Sequence, residues 1–434
     1  MIMQKYINPK PETWAELLKR PTLQFNQIEE TVQSIFKEVQ LKGDAAIQKY
    51  TAYLDGVSLS NTAVSLEEME EAIQSVPADL KEAIAAAKQN IEAFHAAQKT
   101  TPVRVEKQAG VVCWQEKKPI QKVGLYIPGG TAPLFSTVLM LAIPASLAGC
   151  QEIVLCSPPS KEGKIHPAIL YAAQLCGVTK IYKVGGIQAI AGLTFGTTII
   201  PKVYKIFGPG NQYVTAAKQY ATQFGVAIDM PAGPSELLVI ADETAIPKYV
   251  ASDLLSQAEH GADSQVLLVT NSKVLLEGVA IEIVNQLEAL PRKEIAAKAI
   301  ENSKLIYCES TEDILNLVNE YGPEHLIICS KDEAFYLEGI QNAGSVFLGN
   351  FTPESAGDYA SGTNHTLPTN GFSKNYSGVN LDSFLKAITY QKISAIGIQN
   401  IGKTIEIMAD AEGLQGHKNA VTLRLTDLNL NSKK

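Results

Sequence analysis

The sequence predicts an α/β fold with two doubly wound parallel-sheet lobes, N-terminal helices and a helical C-terminal tail. Three observations carry that reading. Short β-rich runs alternate with apolar helical patterns from Val123 onward, the alternation occurs in two successive sets, and glycine clusters follow several of the runs. Alternation of this kind is the pattern of parallel strands joined by helical crossovers. At 434 residues the chain also exceeds one ordinary core, so its length agrees with more than one lobe.

The opening MIMQKYINPKPETWAELLKRP is broken by Pro9 and Pro11 and lacks the apolar centre of a signal peptide. From about 24 to 98 the pattern is helical. Phe25, Ile28, Val32, Ile35, Phe36 and Val39 fall on one face, and Ser65 with Glu68 makes a capping box. The runs VGLYIP, EIVLCS, KIYKVG, KIFGPG and VAIDMP then read as one Rossmann-like set of strands. ELLVIAD, SQVLLVT, KLIYCES, HLIICS and SVFLGN form the second, with Pro231, Gly233 and Pro234 at the crossing. The apolar stretch from Ala132 to Gly149 has the length of a membrane span, yet Pro133 and Pro144 interrupt it, so it reads as a buried helix. After Asn350 comes a polar loop, TPESAGDYASGTNHTLPTNG, and then a tail too small for its own core, which must dock on something. The expected division is an arm over 1–23, one lobe from 24–122 plus 235–378, a second lobe over 123–234, and the tail over 379–434.

A hydrophobic content of 46% fits a globular chain, and a net charge of −8 without a long Lys/Arg block argues against a nucleic-acid scaffold or membrane-surface protein. Small-molecule chemistry is the better expectation. Six cysteines (Cys113, Cys150, Cys156, Cys176, Cys308, Cys329) form no CxxC pair and read as reduced core thiols of a cytoplasmic protein. Cys150 and Cys156 raise a nucleophilic route, but their apolar context favours packing.

Gly129-Gly130, Gly185-Gly186 and Gly208-Pro209-Gly210 all follow strands, where helix N-termini point amides at the sheet's carboxyl edge. One such turn is only a tight connection; three on one edge suggest a cleft for a phosphate-bearing ligand. Tyr213 stands where a GxGxxG starting at Gly208 needs its last glycine, so a standard dinucleotide mode is not supported.

Four of six histidines lie beyond residue 259. Gln257 and His260, i and i+3 on an expected helix, could share an ion, although a helix-end histidine before Gly261 is also a common C-cap. Asp358 and His417 would add an anionic oxygen and a second imidazole. Glu324-His325, after Gly322-Pro323 and before the strand LIICS, could act together as acid and base or form an ordinary polar turn. His95 and His166 read as structural or exposed.

The strings GLYIPGGTAPLFSTVLMLAIPA, IFGPGN, DMPAGPSE, DLLSQAEHGADSQ, YGPEHL, NFTPESAGDYASGTNHTLPT and EGLQGHKNA together resemble the histidinol dehydrogenase family, nearly end to end. The resemblance implies a zinc enzyme oxidising histidinol to histidine through histidinal, with two NAD reduced in succession. It implies zinc held by Gln257, His260, Asp358 and His417, substrate held by these together with Ser235, Glu324, His325, His365 and Glu412, and NAD contacts at Tyr126, Gln188 and Asn211. Glu324 and His325 would be the acid/base residues. The 24–122 plus 235–378 lobe would carry the metal and acid/base groups and the 123–234 lobe the NAD. A homodimer is implied, the tail bringing His417 and Glu412 to the other subunit's site. Two rival classes remain: a zinc hydrolase using the same ligands with Glu324 activating water, which would not need the three glycine turns, and a two-lobed metabolite binder, which leaves Glu324-His325 without a purpose.

Overall fold

Each of the ten β-rich runs forms a strand. In the computed structural model, which describes residues 3–21, 25–129, 132–231 and 233–431, two parallel sheets take them up five and five. Gly130 and the side chain of Phe25 lie outside the described residues. One sheet runs Lys180–Lys183, Glu152–Ser157, Lys122–Tyr126, Lys205–Phe207, Ala227–Ile228 across its width. The other runs Lys304–Tyr307, Gln265–Thr270, Glu236–Ala241, His325–Cys329, Ser345–Leu348 and gains a sixth edge strand, Gln4–Ile7, from the N-terminal arm. Apart from that arm strand, both sheets start at a central strand, build two strands outward and cross back to build the other side, so each has one switch point, between Lys122–Tyr126 and Lys205–Phe207 in one and between Glu236–Ala241 and His325–Cys329 in the other. Glu236–Ala241 and Gln265–Thr270 are buried at every position, as strands covered on both faces by crossover helices must be.

The chain divides into two compact units, 1–98 with 120–384, and 99–119 with 385–434. Both parallel sheets belong to the first. The second holds a three-stranded antiparallel sheet, Val103–Gln108, Val111–Pro119 and Leu385–Ile393, followed by helices Ala395–Ala411 and Gln415–Asn431. The tail is thus not all helical: it begins with a nine-residue strand paired along its whole length to Val111–Pro119.

Helix Phe25–Lys42 differs from expectation in its partner. Ile28, Val32, Ile35, Phe36 and Val39 bury their shared face with Tyr126, Val154, Ile190 and Val214, which belong to the five-stranded sheet and its helices rather than to the lobe around 235–378. Helix Ala78–Ala96 likewise packs against Phe135–Ala148. Long-range packing of an amphipathic face decides this, and sequence proximity does not.

The apolar stretch after Ala132 forms helix Phe135–Ala148, buried from Ser136 to Ala145. No helix among the described residues is long and apolar enough to cross a membrane. Pro144 lies inside this helix, and a proline there leaves the carbonyl four residues earlier without its helical donor. That carbonyl, of Met140, accepts a 2.6 Å hydrogen bond from the side chain of Asn364. The sequence irregularity is therefore an attachment point for the polar loop.

At the five-stranded sheet's switch point the Gly208 backbone has φ +128°, and a side-chain carbon there would lie 2.1 Å from the carbonyl oxygen of Tyr126, so only glycine fits. Lys218 and Asp229, a fully buried ion pair at 2.5 Å, hold the turn: Lys218 Nζ donates to the Gly208 carbonyl at 2.7 Å, and the Gly208 N–H donates to Asp229 at 2.7 Å. Lys218→Met would leave the Asp229 carboxylate buried without its partner and lower stability by about 3–5 kcal/mol. The measurement is the urea midpoint, which should fall markedly; an unchanged midpoint would show that the pair is not a structural tie.

Candidate active site and cofactor cavity

His325 opens its strand and Glu236 opens the adjacent parallel one, so both stand at the amino edge of the six-stranded sheet. The register fixes the local chemistry. The Glu236 N–H donates to Glu324 Oε2 at 2.8 Å, and His325 Nδ1 donates to the Glu236 carbonyl at 3.2 Å. Backbone groups of one residue thus orient both members of the Glu324-His325 pair. With Nδ1 committed to a carbonyl, Nε2 is the ring nitrogen of His325 left to exchange a proton.

What it faces is acidic. Glu354 and Asp358, i and i+4 on helix Glu354–Tyr359, share one face and place Glu354 Oε1 at 3.9 Å and Asp358 Oδ1 at 3.7 Å from Nε2. At those lengths they are charge contacts, too long for formed hydrogen bonds. Ligand-type atoms of His325, Glu354 and Asp358 all lie within 4.8 Å of one another. His365 completes the arrangement: its Nδ1 donates to the Asp358 carbonyl at 2.9 Å, and its Nε2 pairs with Thr137 Oγ1 at 3.0 Å. Asn364, fixed to Met140, is the residue next to it.

Burial makes the cluster electrostatically tense. Glu354 is 1% exposed, His325 3%, Glu324 6% and Asp358 8%, so solvent screens their interactions weakly. Burial and the neighbouring Asp358 push the Glu354 carboxyl up to about 8. Asp358 is held below the usual carboxylate range despite burial, by His325 and His365. His325 is raised well above the usual histidine value: burial opposes the charge, and Glu324, Asp358 and Glu354 outweigh it. Burial lowers His365, on which His260 also bears electrostatically, placing His260 in the same neighbourhood. Buried atoms without a hydrogen-bond partner include His325 Nε2, Glu354 Oε1 and Gln257 Oε1.

Gln257 is buried in the last turn of helix Pro247–Ala258, which packs on helix Glu354–Tyr359 and is tied to it by Ser256 Oγ donating to Glu354 Oε2 at 3.0 Å. His260 is exposed on the turn beyond that helix, which ends two residues earlier than the sequence pattern indicates. Ser235 is half-buried just before strand Glu236–Ala241. Glu412 and His417 are exposed on the second unit, Glu412 capping helix Ala395–Ala411 and His417 within Gln415–Asn431. Of the residues singled out from sequence, the structure draws Glu324, His325, Asp358 and His365 into one cluster. Glu354 and Glu236 were missed. The four-residue spacing of Glu354 and Asp358 in PESAGDY was the available signal for the first, while Glu236 reads as any polar residue at a strand start.

At the carboxyl edge of the five-stranded sheet a cavity of about 1050 Å³ opens beside the switch point, lined by Tyr126, Gly129, Pro158, Gly186 and Asn211 among others. The Tyr126 hydroxyl accepts the Gly186 N–H at 3.0 Å. Asn211 caps helix Gln212–Ala221, accepting the N–H groups of Tyr213 and Val214 at 3.1 Å each. Gln188 is fully buried behind the wall and donates to Asp55 at 3.2 Å. Cys156 is buried in the core beside Tyr126, and burial raises its thiol and pushes Cys150 up to about 12, the opposite of what a nucleophile needs. Ala132 and Pro133 line the cavity while Thr137, one turn into the following helix, holds His365, so the start of that helix joins the cavity to the acid/base cluster.

A family model described as histidinol dehydrogenase matches residues 18–425. The histidinol dehydrogenase of Bacteroides thetaiotaomicron is 58% identical over 427 residues, covering 98% of this chain and 100% of that protein. That of Escherichia coli strain K12 is 52% identical and covers 96% of each chain. A crystal structure of histidinol dehydrogenase from Elizabethkingia anophelis superposes with a TM-score of 0.96 at 56% identity, covering 98% of this chain and 99% of that one. Sequence and fold agree, and the chain belongs to the histidinol dehydrogenase family.

Proposed function

We propose that this chain oxidises histidinol to histidine through histidinal, transferring a hydride to NAD at each of two steps that close histidine biosynthesis, as a zinc-dependent cytoplasmic homodimer. The observation that carries this reading is the pair Glu324-His325, both oriented by Glu236, with His325 Nε2 buried and unpartnered among carboxylates. A hydride-transfer enzyme needs a base at that point and a cleft for its acceptor nearby.

The donor set fits zinc. Gln257 Oε1 is a buried oxygen without a partner, Asp358 offers a carboxylate oxygen, and His260 lies in the same electrostatic neighbourhood. Oxygen and imidazole donors suit zinc, and excess buried negative charge favours a cation. Gln257, His260 and Asp358 would hold it with His417, the last supplied with Glu412 by the other copy's tail. That tail exposes Ile396, Ile407, Met408 and Leu423, an apolar surface consistent with docking on a second chain. Bound there, the cation would orient the substrate's imidazole and amine and offset the carboxylate charge around His325.

Ser235, His365 and Glu412 orient the substrate, and Tyr126, Gln188 and Asn211 serve the NAD cleft. His325 Nε2 takes the hydroxyl proton as hydride leaves the carbinol carbon, giving histidinal and NADH. His325 returns that proton to the aldehyde oxygen as Glu324 removes a proton from water and the water oxygen adds to the carbonyl carbon, giving a gem-diol and a free imidazole. His325 takes a hydroxyl proton of the resulting gem-diol as the second hydride leaves, giving the carboxylic acid and a second NADH.

The stoichiometry tests the whole: two NADH per histidinol consumed are expected, and one, or none, would contradict it. Division of labour is tested by Glu324→Gln. Oxidation of histidinol to histidinal should be largely spared, and oxidation of histidinal should fall about 100-fold or more. Equal loss in both steps, measured with each compound as substrate, would remove Glu324 from the water-activating role.

A further inference from the structure

Resting on that reading of Glu324 and His325, we infer that Arg20 and Glu236 form a positioning clamp for the acid/base pair, which makes the N-terminal arm part of the catalytic machinery. The backbone of Glu236 reaches both: its N–H donates to Glu324 and its carbonyl accepts from His325. Its backbone is registered against Gln265 of the neighbouring strand, and its side chain adds a second tie. Arg20 donates Nε to Glu236 Oε1 at 2.5 Å and Nη2 to Oε2 at 2.9 Å, a two-pronged grip that fixes the carboxylate in rotation as well as position.

Arg20 is fixed in turn. Its Nη2 also donates to the Tyr321 carbonyl at 2.8 Å, and its guanidinium lies 3.9 Å from the Tyr321 ring centroid. Tyr321 is fully buried and its hydroxyl donates to Gln265 at 3.0 Å. The third donor to the Glu236 carboxylate is the Asn370 N–H at 2.7 Å, which ties in the loop running from His365. Base and water activator are thus both referred to one residue, whose carboxylate also anchors the loop after His365. Arginine also supplies the charge this carboxylate needs, since Glu236 and Glu324 are both buried acids in mutual contact range.

The arm does not depend on Arg20 for its attachment. Strand Gln4–Ile7 pairs with Lys304–Tyr307, and Trp14, Leu17 and Leu18 are buried in the core. Removing the guanidinium should therefore loosen the clamp while leaving the arm docked.

The test uses the zinc-loaded, full-length enzyme with Arg20→Met, Arg20→Lys and Glu236→Gln, assayed well below the melting temperature. Arg20→Met should lower kcat for histidinal oxidation by roughly 30-fold, with KM for histidinal and NAD changed by less than about 3-fold, because loss of geometry costs turnover more than binding. Zinc content should be unchanged, and Arg20→Lys should restore part of the rate. Should Arg20→Met be insoluble, Glu236→Gln keeps the side-chain volume and carries the same expectation. Placed on Glu324→Gln, Arg20→Met should cost clearly less in this step than it does alone, the remainder acting through His325, since residues acting through one another are not additive. Unchanged kcat, or a loss that multiplies in full with Glu324→Gln, would overturn the clamp. A Glu324→Gln enzyme with undiminished histidinal oxidation would instead refute the reading of Glu324, and the clamp with it.

Discussion

Three carboxylates, Glu324, Glu354 and Asp358, share a nearly dry volume with one imidazole, His325, and this unbalanced charge is the constraint on which the rest depends. Each buried ion costs several kcal/mol unless hydrogen bonds and opposite charge offset it. Glu324 has the Glu236 N–H, Glu354 has Ser256, and Asp358 has the Glu354 carboxyl beside it and two imidazoles at charge-contact distance. What remains unbalanced is negative, and the unpartnered oxygens of Glu354 and Gln257 mark where. A cation placed there would offset that charge.

The two sheets divide the work by their edges. The five-stranded sheet offers its carboxyl edge, where the switch point opens a cleft and glycines let backbone approach a ligand. The six-stranded sheet uses its amino edge, where strand starts bring Glu236 and His325 side by side. Helix Phe135–Ala148 links them: its preceding loop lines the cleft, its first turn holds His365, and its internal proline leaves a carbonyl that anchors Asn364. The cavity and the buried carboxylate–histidine cluster are thereby linked through a single helix.

Much of this is legible in the sequence, because it is encoded locally. Ten apolar runs and their crossover helices need only the period of their hydrophobic residues, and the capping box at Ser65 and Glu68 forms as its spacing requires. Glu324-His325 is legible because two chemically capable residues stand at a strand entry. What escapes is set by distant partners. Helix Phe25–Lys42 presents an apolar face that fits either sheet, and nothing local selects the five-stranded one. The strand Leu385–Ile393 is hidden because its partner lies about 270 residues earlier in the chain. Arg20, Asn364 and Glu354 acquire meaning only through contacts across the fold. Gly110, at φ +78°, closes the hairpin from Val103 to Pro119, a turn signal that is plain once its flanking alternation is read as strand.

The most direct measurement is anomalous diffraction at the zinc edge from crystals of the enzyme soaked with histidinol. A peak is expected about 2.0–2.2 Å from a ring nitrogen of His260 and an oxygen of Asp358, facing His325, with Gln257 completing the oxygen donors. A zinc peak elsewhere, or an ordered cluster of these side chains around water alone in zinc-replete and active crystals, would contradict the account.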